Sequence, residues 1–145
     1  MFKHILLATD GSEASTRAVQ LAVGLAREHG ARLTALYVVD PYPYLGVGEA
    51  NPMGFQAYMS AALEHAAQAH AAVITAADAE PKVNVDLRRV EDVAAAKGIT
   101  ESARELGADL IVVGSHGRSG LQRLMLGSVA GKVVAQAEVP VLVAR

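Results

Sequence analysis

Apolar and polar positions along the chain follow two rhythms. A short apolar run, His4-Ile-Leu-Leu-Ala-Thr9, predicts a strand and leads into Asp10-Gly11-Ser12. Ala18, Leu21, Ala22 and Leu25 then recur at i, i+3, i+4 and i+7, which places them on one face of a helix from about Ser15 to His29. Gly30 supplies its C-terminal stop. Arg32 to Val39 is nearly continuous in apolar residues, the pattern of a strand covered on both faces.

The alternation continues. Asp40 to Pro52 holds three prolines and two glycines and predicts a long loop. Gln56 to about Ala79 is Ala-rich and predicts a helix that ends before Pro81. Val83, Val85 and Leu87 alternate with Asn84, Asp86 and Arg88, as on a half-exposed edge strand. A helix from about Val93 to Leu106, stopped by Gly107, leads to an apolar strand, Asp109 to Gly114. Ser115 to Leu126 reads as an irregular loop, Gly127-Ser128 opens a last helix to about Ala137, and Val139 to Ala144 closes as a strand. Five strands alternating with four helices predict one α/β domain over residues 1–145, its open sheet mostly or wholly parallel.

Composition narrows the chemistry. Without cysteine the chain has no thiolate zinc site, iron–sulfur cluster or thiol nucleophile, and it suits a reducing compartment. Thirteen Lys and Arg against fifteen Asp and Glu leave no general attraction for nucleic acid. Its apolar stretches are shorter than the ~20 residues of a membrane helix, and the N-terminal run is too short for a secretory signal, so the expected setting is cytoplasmic without membrane insertion. Aromatic residues make up only 4% and Trp is absent, which predicts neither a base-stacking platform nor an aromatic cage.

Ligands of open α/β sheets sit beyond the carboxyl ends of strands where the strand order reverses. The exits of the first and fourth strands are the most polar and glycine-rich, with Asp10-Gly11-Ser12 on one and Gly114-Ser-His-Gly117-Arg-Ser-Gly120 on the other. From Gly117 nine residues lead to Gly127-Ser128 at a helix start. Gly114 would let a ligand lie against the strand end, Gly117 would permit a positive φ, and Gly127 would admit phosphate oxygens to the backbone. Ser128 would add a hydroxyl beside the unpaired amides of that helix, whose N-terminus carries about half a positive charge. The competing reading makes these glycines purely structural. Arg118 and Arg123 would either lean over the phosphates or face solvent, and Lys132 is expected to be exposed.

Other chemistries are disfavoured. His65 and His70 lie about 140° apart around a helix and cannot share a metal ion. Ser115 and His116 are adjacent, and chain neighbours rarely aim their side chains at one another, which speaks against a serine–histidine hydrolase. Neither GxxxxGK[S/T] nor GxGxxG occurs. No carboxylate or lysine stands beside the glycine cradle to activate a nucleophile, so a binding module is expected in preference to an enzyme.

The motifs His4-Ile-Leu-Leu-Ala-Thr-Asp10-Gly-Ser12, Tyr37-Val-Val-Asp40, Ala108 to Gly120, Leu126-Gly-Ser128-Val129 and Val139-Pro-Val-Leu-Val143 together resemble the universal stress protein family over nearly the whole chain. The resemblance implies a Rossmann-like five-stranded parallel sheet in order 3-2-1-4-5 with helices on both faces. The intact glycine pattern implies its ATP-binding branch, with Mg²⁺ or Mn²⁺ as the cation that can accompany the phosphates. Carried over by position, Asp10 would bond the ribose hydroxyls, Val38 would contact adenine through its backbone, and Val113 and Gly114 would border base and sugar. Gly117, Gly127, Ser128 and Val129 would line the phosphates. Asp10 has a competing reading as the cap of the first helix, and Ala8 departs from the proline that some ATP-binding members carry there.

The function expected is therefore an ATP-binding regulatory stress-response protein acting on a partner protein that the sequence does not name. A slow ATP hydrolase and a structural dimer with a vestigial pocket are the alternatives. The resemblance also implies a homodimer, joined through the apolar closing strand Val141-Leu142-Val143.

Overall fold

The computed structural model describes residues 1–42, 52–116 and 125–145. Gly117, Arg118, Arg123 and most of the two expected loops lie outside the described residues. The elements run β1 (His4–Ala8), a single 3₁₀ turn (Glu13–Ser15), α1 (Thr16–His29), β2 (Arg32–Val39), α2 (Pro52–Ala77), β3 (Val85–Glu91), α3 (Ala95–Leu106), β4 (Leu110–Gly114), α4 (Ser128–Gln136) and β5 (Val141–Ala144).

All four strand pairings are parallel, and the sheet order is β3-β2-β1-β4-β5. Strand alternation divides the core in two. Ile5, Leu7, Leu33, Ala35, Leu110 and Val112 meet α1 and the C-terminal half of α2. Leu6, Leu36, Ile111 and Val113 meet α3 and α4 on the opposite face. β1 and β4 are buried on both faces, which explains their unbroken apolar sequences.

Element boundaries shift by a few residues. The edge strand begins at Val85, beyond Val83, because the Val83 amide turns back to the Ala77 carbonyl at 3.0 Å. α2 begins at Pro52, four residues before Gln56, with proline in the first position where its missing N–H costs no helical bond. Its buried residues are small: Ala62, Ala66 and Ala69 pack beneath Tyr37 and Val39. Gly11, with φ +74°, comes so near this helix that a Cβ would lie 3.0 Å from the Ala69 Cβ.

The sparse aromatics are concentrated at one place, which composition alone does not tell. Tyr42 meets Phe55 and Tyr58 with ring centroids 5.6 and 5.3 Å apart, and Tyr37 packs beside Tyr58. Composition counts residues, whereas the fold brings the end of β2 against the first turns of α2. Among the described residues no helix is long and apolar enough to cross a membrane.

Candidate functional site

Parallel strands β1 and β4 are direct neighbours, and their chain connections depart in opposite directions, so a crevice opens beyond their carboxyl ends. There a cavity of about 410 Å³ is lined by Asp10, Val38, Val113, Gly114, Gly127, Ser128 and Val129. Seven of the eight sequence-derived residues thus share one cavity, and the eighth, Gly117, lies outside the described residues. Its volume falls within the roughly 300–1,000 Å³ of small-molecule sites.

The β1 exit is ordered by short polar side chains. Asp10 Oδ1 accepts the Ser12 amide at 2.9 Å and the Ser12 hydroxyl at 2.5 Å. The Thr9 hydroxyl donates to Ser15 Oγ at 3.2 Å, and the Ser15 hydroxyl donates to the Ser12 carbonyl at 2.7 Å. Asp10 thereby shapes the turn ahead of the helix. It does not cap α1, whose N-cap residue is Ser15. The competing reading of Asp10 is corrected to that extent, because the intervening 3₁₀ turn sets α1 too far along the chain.

β2 runs on past the end of β1. The last pair in register is Ala8 with Leu36, and the Thr9 amide donates to the Leu36 carbonyl at 3.1 Å. Amide and carbonyl of one strand residue point the same way and alternate from residue to residue in a parallel ladder. Val38 therefore turns its N–H and C=O toward the side that β1 has left, where the cavity opens.

Gly127 serves a different purpose from the one the sequence suggests. A Cβ on Gly127 would stand 2.6 Å from the Ser115 carbonyl oxygen, so glycine is demanded there by the chain itself. The Gly127 amide donates to that same oxygen at 2.7 Å and is thus already committed, not open to a phosphate. The missing Cβ of Gly114 faces the His116 and Ala14 carbonyls at 3.4 and 3.6 Å, ordinary contact distances. Gly127 caps α4 with no side-chain bond, leaving the amides of Ser128, Val129 and Ala130 without intrahelical acceptors at the cavity edge.

Ser115 and His116 contradict the expectation that neighbours point apart. Ser115 Oγ lies 3.0 Å from His116 Nδ1, and both residues line the cavity. The chain leaves regular strand geometry after Gly114, so the alternation that separates neighbouring side chains no longer applies. The buried His116 Nε2 has no hydrogen-bond partner among the described residues.

Sequence reasoning passed over part of the wall: Leu36, Ala95 and Ile99 form an apolar side, and Asp40 stands at the β2 exit. Gly98, inside α3, was the available signal, since a helix-interior glycine costs about 1 kcal/mol against alanine and calls for a reason. That reason is close packing, because a Cβ there would lie 3.1 Å from both Val38 methyl groups. Among the described residues no cluster of three or more His, Asp or Glu side chains could hold a metal ion.

A larger cavity, about 460 Å³, lies at the other end of the sheet beside Arg27, Arg32 and Lys82. Those cations are engaged: Arg27 with the Ala79 and Pro81 carbonyls, Arg32 with Asp86, Lys82 with Asp78. It also adjoins strand beginnings, the end of an α/β sheet that ligands do not favour.

A profile of the universal stress protein family matches residues 1–145. A universal stress protein of Methanocaldococcus jannaschii is 36% identical over 145 residues, spanning all of this chain and 83% of the relative. The solved structure of the universal stress protein UspA of Lactobacillus plantarum superposes with a TM-score of 0.80 at 28% identity, covering 99% of this chain and 97% of the other. A solved universal stress protein in complex with cAMP gives a TM-score of 0.62 at 27% identity, covering 99% and 97%.

Proposed function

This chain belongs to the universal stress protein family, and from that premise we propose that it is an ATP-binding regulatory protein whose nucleotide occupies the β1/β4 crevice. The observation that carries the reading is convergence: the exits of β1, β2 and β4 and the start of α4 meet around one cavity of about 410 Å³. A relative of 27% identity holds an adenine nucleotide, cAMP.

In this reading the base lies against Val38 and Val113, facing the apolar side formed by Leu36 and Ile99. The backbone N–H and C=O of Val38 complement the N7 acceptor and N6–H donor of adenine, where the same edge of guanine offers two acceptors, N7 and O6. Asp10 takes the ribose hydroxyls and Gly114 borders the sugar. The Ser128 hydroxyl and the amides of Ser128 and Val129, with Gly117, take the phosphates at the positive end of α4. Gly127 contributes by letting α4 start close to β4. With no cluster of metal-ligating side chains among the described residues, Mg²⁺ or Mn²⁺ would arrive bound to the phosphates.

A cytoplasmic setting, a regulatory partner protein and a homodimer joined along β5 complete the proposal. The two sheet edges support the last point. β3 carries Asp86, Arg88, Arg89 and Glu91, charges that discourage edge pairing, whereas β5 reads Val-Leu-Val-Ala.

The test is to denature the purified protein, chromatograph any carried-over nucleotide, and titrate apoprotein with ATP and with cAMP by calorimetry. Saturable ATP binding that weakens in Ser128→Ala supports the reading; absence of binding at millimolar ATP overturns it. Time-dependent ADP release suppressed by Asp10→Asn would establish the slow hydrolase instead.

A further inference from the structure

The exit of β2 is held from both faces of the sheet. On one face Gly98 of α3 lies against Val38 so closely that a Cβ would sit 3.1 Å from each Val38 methyl. On the other, Tyr37 and Val39 pack on α2 together with Tyr58, and the Tyr58 hydroxyl donates to the Asp40 carbonyl at 2.7 Å. Asp40 directly follows the last residue of β2 and lines the cavity. The Tyr58 phenol, ordinarily protonated at neutral pH, is pushed further up by burial first and then by the charge of Asp40. Val38 and Val39 keep their register with Val90 and Glu91 of β3, but the stretch from Val38 to Asp40 extends beyond the last β1 pair at Ala8 and Leu36, so its β1 edge faces the cavity with no strand beside it.

We infer that Gly98 and Tyr58 are positioning residues that set base selectivity: one fixes how near Val38 stands to α3, the other how far the β2 exit reaches over the cavity. The inference rests on the adenine-binding reading above. A donor and an acceptor on one backbone edge discriminate adenine from guanine only when that edge is held in place, since hydrogen bonds weaken steeply with misalignment. Neither residue need touch the nucleotide. Tyr58→Phe keeps the ring and its packing while releasing Asp40. Gly98→Ala keeps α3, and favours it by propensity, while crowding the methyl groups of Val38 and one of Val93, each 3.1 Å from the added Cβ.

The experiment is calorimetric titration of the full chain with ATP and with GTP in wild type, Tyr58→Phe, Gly98→Ala and Ser128→Ala, with thermal melts of each. Wild type is expected to prefer ATP. Tyr58→Phe and Gly98→Ala should each weaken ATP by about fivefold, one hydrogen bond's worth, and leave GTP nearly unchanged, so that the preference narrows. Ser128→Ala should weaken both nucleotides alike and leave the preference intact. Should Gly98→Ala fail to fold, Tyr58→Phe decides alone. A wild type that binds ATP, with the ATP-to-GTP ratio unaltered in the folded variants, overturns this inference and spares the reading beneath it. A wild type that binds neither nucleotide overturns both.

Discussion

The carbonyl oxygen of Ser115 accepts the Gly127 amide at 2.7 Å and stands 2.6 Å from where a Gly127 Cβ would be. One oxygen thus fixes the start of α4 relative to the end of β4 and leaves no space for a side chain. Gly127→Ala is expected to lower stability by about 1–3 kcal/mol, the cost of overpacking where backbone must move, as read by urea denaturation. Unchanged stability would mean that α4 can shift freely. It follows that lost nucleotide binding in a Gly127 variant says little about phosphate contacts, whereas Ser128→Ala, on an exposed side chain, reports on them directly.

Asp10 joins a structural role to the proposed ribose contact, and one substitution separates them. Asn retains an oxygen at Oδ1 for the Ser12 amide and hydroxyl but loses the charge. Asp10→Asn should leave the melting temperature nearly unchanged while weakening ATP about tenfold, the loss of one hydrogen bond to a charged group. Equal affinities by calorimetry would return Asp10 to a purely structural part.

Along β5 the carbonyls of Pro140 and Ala144 accept bonds from the β4 side, from the amides of Ile111 and Ser115. By alternation the amides of Val141 and Val143 point outward. Val143→Pro therefore removes an outward donor without breaking the β4 ladder, at an edge where proline is tolerated. Light scattering should change from twice the 15.1 kDa chain mass to that mass itself. A variant still dimeric would place the interface elsewhere.

His70 on α2 holds a buried Nε2 with no hydrogen-bond partner among the described residues. Burial first, and the charge of Arg89 after it, lower its pKa, while the backbone of Arg88 and Ala35 works the other way. A histidine with a depressed folded pKa contributes fully above its unfolded value, 6.5, and its contribution is lost as pH falls from there toward the folded value. Urea midpoints at about pH 7.5 and about pH 5.5 should therefore differ less in His70→Leu than in wild type. Equal pH dependence in the two would show that the imidazole titrates as it does in water.

Much of this architecture was legible beforehand because burial imposes a period on the chain. The apolar runs at His4–Ala8 and Leu110–Gly114 mark strands covered on both faces, and Gly30 and Gly107, both at positive φ, end α1 and α3 where glycine was expected to stop them. The order of the sheet was drawn from family resemblance, since periodicity cannot say which strand lies beside which. The gathering of seven predicted residues round one cavity depends on that order.

Other features were illegible for definable reasons. The contact between Ser115 and His116 needs backbone that has left the strand, and the aromatic group of Tyr42, Phe55 and Tyr58 is joined across separate elements. Local pattern is written by the water-to-core partition of each side chain, a property a residue carries with it. It determined the elements and their buried faces. Which atoms would then compete for the same space, Gly127 with Ser115 and Gly98 with Val38, was decided only by packing strands and helices together, because close contact depends on the three-dimensional distance between atoms remote in the chain.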